Sequence, residues 1–195
     1  VGRGEAVATY GPWLGIMAGG TWKDFGDVDG GRRVGIQEKT GYGVCSGDVK
    51  IEYHPDATTT WTFAHYQLYE DNAWRTHATI YGLSWDGTAV GTDLRRVIDE
   101  GRSLSYARYR KDRLSECFDS IELTASFQTL GEEQWRTQSN GREIRDRTDV
   151  NTYGLGMQFV TPSKIGKWTY GAEWYHDEVG SSSRTLNADG SLRSV

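Results

Sequence analysis

Residue types able to do chemistry are thinly spread in this 195-residue chain, which holds four histidines and two cysteines. His54, His65, His77 and His176 show no paired spacing of the kind that grips a metal ion. Asp27-Val28-Asp29-Gly30, with Glu38 as the twelfth residue, has the outline of a calcium loop, but Arg32 stands sixth, where the sharp turn demands glycine. Gly41-Tyr42-Gly43 opens a strand pattern rather than a helix, so a phosphate cradle is not expected there. The chain has no Gly-x-Ser-x-Gly elbow and no His-Glu-x-x-His. Its carboxylates are many, yet none is isolated in the apolar setting that tunes a catalytic acid. The expectation is therefore no enzyme, no cofactor and no metal. What remains is a concentration of recognition-type residues between 70 and 102: Trp74, Arg75, His77, Trp85, Arg95 and Arg96. They suit an anionic or chelate ligand, and a solvated loop is the plain alternative.

The elements that must carry this stretch have a period of two. In VNTYGLGMQFVTPSKIGKWTYGAEWY (150–175), Tyr153, Leu155, Met157 and Phe159 share one parity, with Gly154, Gly156 and Gln158 on the other. After a turn at Pro162 and Gly166, Trp168, Tyr170, Ala172 and Trp174 alternate with Thr169, Gly171, Glu173 and Tyr175. Successive side chains of a strand face opposite ways, so each arm has a greasy face and a polar or bare one. The same rhythm predicts strands over 4–9, 13–24, 42–53, 58–69, 103–110 and 119–129. About eight strands result. Short turns centred on Gly11, Pro55, Asp112 and Ser163 alternate with long polar connections at 25–41, 70–102 and 130–149. From His176 the chain reads as irregular. His65 shares the parity of Trp61 and Phe63, which suggests a bulge that shifts its register.

Composition narrows the class. Only 36% of residues are hydrophobic and mean hydropathy is -0.65, yet there are 8 Trp, 11 Tyr and 25 Gly against 3 Pro. That mixture suits a transmembrane barrel, in which alternate residues meet lipid and aromatic belts mark the interfaces. A net charge of -5 gives no reason to expect nucleic acid. No charged leader followed by an apolar run is visible, and the chain is read as a fragment of a longer protein.

The stretches GPWLGIMAGGTWKDFGDVDGG, DVKIEYHPDATTTWTFAHYQ, AWRTHATIYGLSW and TYGLGMQFVTPSKIGKWTYGAEWYHDEV resemble barrel segments of TonB-dependent outer-membrane receptors. The resemblance covers nearly the whole chain and rests on rhythm and phrasing rather than one motif. It implies a place in the bacterial outer membrane, within a large barrel that imports an iron chelate or a similar large nutrient. Membrane lipid, the nutrient and TonB are the implied partners, TonB acting through an N-terminal region outside this chain. No plug, energy-coupling box, closing aromatic strand, FRAP or NPNL motif is present, so the ligand stays open. Residues 1–195 are expected to be one fragment of a barrel domain whose plug and remaining strands lie elsewhere. Two other readings remain: a self-contained eight-stranded outer-membrane barrel acting as adhesin or stability protein, and a soluble glycan-binding β-sandwich.

These readings set out what a structure must show. The fold should be an all-β, antiparallel, up-and-down meander, a partial and unclosed transmembrane barrel. Ile51, Trp61, Leu123, Phe127, Leu155, Phe159, Trp168 and Trp174 should share the lipid face, with Glu52, Thr62, Glu122, Gln158 and Glu173 on the other. Cys45 lies roughly 26 Å of strand from the turn near His54, whereas Cys117 sits beside a short turn. A disulfide needs Cα atoms within about 7 Å, so no bridge is expected.

Overall fold

The structure is a computed structural model that describes residues 1–84, 87 and 89–194. Eight long strands run up and down in sequence order: β1 (Gly2–Tyr10), β2 (Leu14–Phe25), β5 (Tyr42–Asp56), β6 (Thr59–Trp74), β7 (Arg95–Asp112), β8 (Ser120–Thr137), β9 (Glu143–Ser163) and β10 (Gly166–Leu186). A short β11 (Leu192–Ser194) makes a ninth strand of the same sheet, and β3 (Val28–Asp29) with β4 (Ile36–Gln37) forms a separate two-stranded ribbon. Every neighbouring pair in the sheet is antiparallel. The sheet is not closed: β1 pairs with β2 alone, while β10 lies between β9 and β11.

One layer of sheet leaves no interior. Ala64 and Val97 are the buried hydrophobic residues among those described, and the accessible surface is 13059 Å². A compact monomer of 21.9 kDa exposes only about 9,300 Å² by the usual scaling of surface with mass. The excess comes from a sheet on which, among the described residues, no second layer is stacked.

Several strands run further than their alternation indicates. β6 continues to Trp74 and β7 begins at Arg95, so the loop between them is 75–94 rather than 70–102. The expected long loop at 130–149 is not a loop. It is the upper part of β8 and β9, joined by a turn at 138–142 in which the Gln138 N–H donates to the Arg142 carbonyl at 2.9 Å. From His176 the chain stays in β10 as far as Leu186, and the Asn187 N–H donates to the Ser191 carbonyl at 2.9 Å to close a second such turn. Gly141 (φ 78°) and Gly190 (φ 82°) take the left-handed conformation that these turns require. Both faces of these outer halves are wet, which is why their alternation is silent. His65 is also corrected. The ladder runs through Val49, His65 and Ser105 without a shift, and the irregularity in β6 lies between Glu70 and Ala73.

Candidate functional site

Residues paired across an antiparallel ladder share a face, so the register assigns every side chain. One row reads Ile51, Phe63, Ala107, Ala125, Leu155, Trp174 and the next reads Tyr53, Trp61, Tyr109, Leu123, Met157, Ala172. Phe127 pairs with Tyr153, Ile121 with Phe159, and Thr161 with Trp168 on that same face. The opposite face carries the row Glu52, Thr62, Arg108, Thr124, Gly156, Glu173, with Glu122 paired to Gln158. The two sets expected from parity thus fall on separate faces without mixing. Exposure is inverted relative to a soluble sheet. Phe63 is 45% exposed and Leu155 57%, whereas Thr62 is 7%. The polar face is braced by ion pairs from Arg3 to Asp48 at 2.8 Å, Lys50 to Glu52 at 2.7 Å and Arg108 to Glu122 at 3.3 Å.

The apolar face is a band of even height. Along β2 the outward residues run from Leu14 to the first outward charge at Asp24, along β7 from Tyr109 to Asp99, and along β9 from Phe159 to Asp149; along β10 they run from Trp168 to Glu178. Each span is ten residues, or roughly 33 Å of strand. Both margins are slanted in step. Leu14 is level with Ala172, four residues above Trp168, and Trp22 is level with Gly180, so Asp24 also stands four residues above Glu178. Four residues across six strand-to-strand steps is about 13 Å in about 29 Å, a tilt of roughly 25°. Barrel strands usually tilt by about 35–45° against an apolar band about 25 Å tall. Aromatic contacts gather at the short-turn margin and recur within the band. At the short-turn end Tyr10 meets Trp13 at 5.1 Å, Trp13 meets Tyr53 at 6.1 Å and Trp61 meets Tyr109 at 4.7 Å. Higher up, Phe127 lies 5.0 Å from Tyr153 and Trp174 lies 6.0 Å from His176.

His65 stands on this band and is not bare, because its Nδ1 lies 2.9 Å from the Ser105 hydroxyl. Tyr69 pairs with Gly101, and a Cβ on that glycine would come within 3.2 Å of the tyrosine ring. The small residue lets the ring lie flat on the sheet. Cys45 faces the band from β5 and Cys117 lies in the 113–119 turn; both are free. Cys45 is level with Gly101, about 36 Å of strand above the short-turn end of β7 at Asp112.

Above the band, the 75–94 loop folds onto the rim of β7 and β8. A single 3-10 turn, Thr76–Ala78, packs there with Thr79 fully buried and Asp93 4% exposed. The Asp93 carboxylate accepts from Arg136 Nε at 2.8 Å, and the Gly91 N–H donates to the His77 carbonyl at 2.9 Å. Gly91 cannot be replaced without movement, since a Cβ there would sit 1.9 Å from the Ala78 carbonyl oxygen.

Five of the six loop candidates can be placed. Trp74 ends β6, and the Arg75 N–H donates to the Arg96 carbonyl at 2.9 Å, so these three lie together. Arg96 Nε donates to Gln134 at 2.8 Å. Arg95 lies apart, 5.7 Å from the Trp135 ring, which Arg145 also covers at 3.9 Å. His77 is exposed on its helical turn. Trp85 lies outside the described residues. Sequence reasoning missed Lys39, Tyr81, Trp135 and Arg145; only Trp135-Arg136 resembled the other aromatic–arginine pairs. The Asp27 and Asp29 carboxylates serve as turn caps: Asp27 accepts the N–H groups of Thr40 and Gly41 at 2.8 Å, and Asp29 accepts that of Gly31 at 2.9 Å. Among the described residues, no cluster of three or more His, Cys, Asp or Glu side chains could hold a metal ion.

Comparison with family models, with curated proteins and with solved structures returned no match to this chain.

Proposed function

We propose that this chain is a stretch of wall from an outer-membrane β-barrel, and within that class part of a TonB-dependent receptor that imports an iron chelate or a similar large nutrient. The observation that carries the barrel reading is the uncovered apolar band of even height on a single-layer sheet whose other face is polar. Water would oppose such a surface at about 25 cal/mol per Å² of apolar area, and hydrocarbon would not. A soluble sandwich needs a second sheet on that face; among the described residues the only other sheet is the two-stranded β3–β4 ribbon. The receptor reading is finer. It is supported by the resemblance of the chain's segments, by strands of 18 to 21 residues that stand well above the band, and by the arginines at the rim. Arg75, Arg96 and Arg136 gather around the 75–94 loop, and guanidinium groups suit an anionic chelate. The protein transports rather than catalyses.

The native cysteines test the barrel reading. In isolated membranes a charged, water-soluble maleimide should label Cys117 in its turn and spare Cys45 on the band. Both should react once the protein is unfolded in denaturant. Equal labelling in membranes would end the reading. For the receptor, loss of the gene should abolish uptake of one member of a panel of iron chelates, haem, cobalamin and glycans, and undiminished uptake of all of them would refute it.

A further inference from the structure

Lys39 has a backbone φ of 61°, in the left-handed region that residues other than glycine seldom occupy. Its carbonyl accepts the Thr76 hydroxyl at 3.0 Å, and Thr76 is buried. Its ammonium lies 3.6 Å from the centre of the Tyr81 ring and 4.4 Å from that of Trp74. Those rings stand at 84° with centroids 5.9 Å apart, two walls of an aromatic cage. The Trp74 wall is pinned, because its indole N–H donates to the Asn72 side-chain oxygen at 3.0 Å. Asn72 is itself left-handed at φ 60°, and its N–H donates to Asp99 at 2.8 Å. Two of the three left-handed non-glycine residues among those described, Lys39 and Asn72, therefore converge on one contact. Such conformations persist only where their surroundings enforce them.

We propose that Lys39 is a latch: its ammonium, held in the Trp74–Tyr81 cage, couples the 26–41 loop to the 75–94 loop so that the two open and close as one. The coupling goes beyond the transport reading and does not depend on which nutrient is carried. A face-on cation is attracted by the negative face of each ring, and more strongly where water is partly excluded. All three side chains are half-buried.

Amide hydrogen exchange on the folded, membrane-assembled protein tests the latch. Lys39→Gly suits the left-handed backbone and keeps the carbonyl that Thr76 needs, so it removes the ammonium while leaving that hydrogen bond in place. Residues 76–82 should then exchange about three- to thirtyfold faster, the equivalent of roughly 0.6–2 kcal/mol for a cation–π contact. Segment 27–40 should accelerate with them. Lys39→Arg keeps a cation and should restore most of the protection. Tyr81→Leu removes the nearer wall and should reproduce most of the loss, and adding Lys39→Gly to it should change little more. Acceleration confined to 27–40, no acceleration at all, or failure of Lys39→Arg to restore protection would each overturn the proposal, since none transmits through the cage.

Discussion

Arginine placed at Ala125 probes the face assignment where it is most sensitive. Ala125 lies between Ala107 and Leu155 in the middle rows of the band, and its neighbour Ser126 points to the other side of the sheet. From Ile121 the outward residues of β8 continue to Glu133, so Ala125 stands about 13 Å along the strand from the lower end and far from both margins. An arginine on a lipid-facing position near the midplane costs about 2–4 kcal/mol, which shifts the folded fraction by roughly thirty- to eight-hundredfold. Ser126→Arg enters the polar face, where Arg108 and Glu122 already sit, and should change stability by about 0.5 kcal/mol or less. The assay is urea unfolding of the membrane-assembled protein in lipid vesicles, followed by tryptophan fluorescence. Ala125→Arg should lower the midpoint sharply while Ser126→Arg leaves it nearly unchanged. Equal midpoints, or the larger loss at Ser126, would show that hydrocarbon does not lie where the register puts it.

Three further outcomes are expected. In the receptor proposed above, removing residues 79–91 from the 75–94 loop should weaken ligand binding at least tenfold while the barrel still assembles, as read by titration and by heat-modified gel mobility; unchanged affinity would acquit the loop. Asp27 is held below the usual carboxylate range chiefly by the Gly41 N–H, which outweighs the opposing effect of burial, with lesser help from the N–H groups of Thr40 and Lys39. Because its folded pKa is depressed, the stabilisation is fully present above the unfolded value of about 3.9 and is lost as pH falls through the lower folded value. Amide protection at Thr40 and Gly41 should thus be flat from pH 8 to 5, decline in stronger acid, and already be lost in Asp27→Ala at neutral pH. Gly91→Ala forces a backbone shift against Ala78, so it should cost about 1–3 kcal/mol of local stability and admit protease to the 75–94 loop in a native digest.

What was legible depended on contrast between two faces. Wherever one face of a strand is dry, as from Ile121 to Phe127 or Tyr153 to Phe159, composition alternates and parity can be read off directly. The assignment of Leu123 and Glu122 to opposite faces needed nothing else. Where both faces are wet, alternation vanishes although the ladder continues: Glu132 and Glu133, or Ser181 to Ser183, look like loop and are strand. A local signal was nevertheless present. Asn140-Gly141 and Asp189-Gly190 are strong hairpin dipeptides, and each sits in the turn that the structure shows. The loop cluster was half legible. Trp74, Arg75 and Arg96 were found because they are close in sequence to a shared loop. Lys39 contacts Trp74 only because β5 lies beside β6, and no local pattern reports a contact between loops that far apart.

The lengths of the strands bear on what the sheet is for. They grow along the chain, from 9 residues in β1 through 12, 15, 16 and 18 to 21 in β9 and β10. A strand crosses hydrocarbon in about 9–11 residues, and the outward apolar span stays at ten on β2, β7, β9 and β10 alike. Against shorter extensions to Ser163 and Gly166 at one margin, β9 runs from Asp149 on to Glu143 and β10 from Glu178 on to Leu186 at the other. Growth is therefore greater on the side of the long loops. Its outer surface there is charged: Asp149, Arg147 and Arg145 face outward on β9 where Met157 and Leu155 do below. A membrane anchor gains nothing from such extensions, since ordering each added residue costs about 1–2 kcal/mol of backbone entropy. They carry loops, and Gly141 in one turn approaches Ala188 in the next closely enough that an added Cβ would lie 3.1 Å from it. A wall whose upper edge climbs from Phe25, next to the margin residue Asp24 on β2, to Leu186, well beyond the margin residue Glu178 on β10, supports a raised rim of recognition loops, which is the work proposed for Arg75, Arg96 and the latch at Lys39.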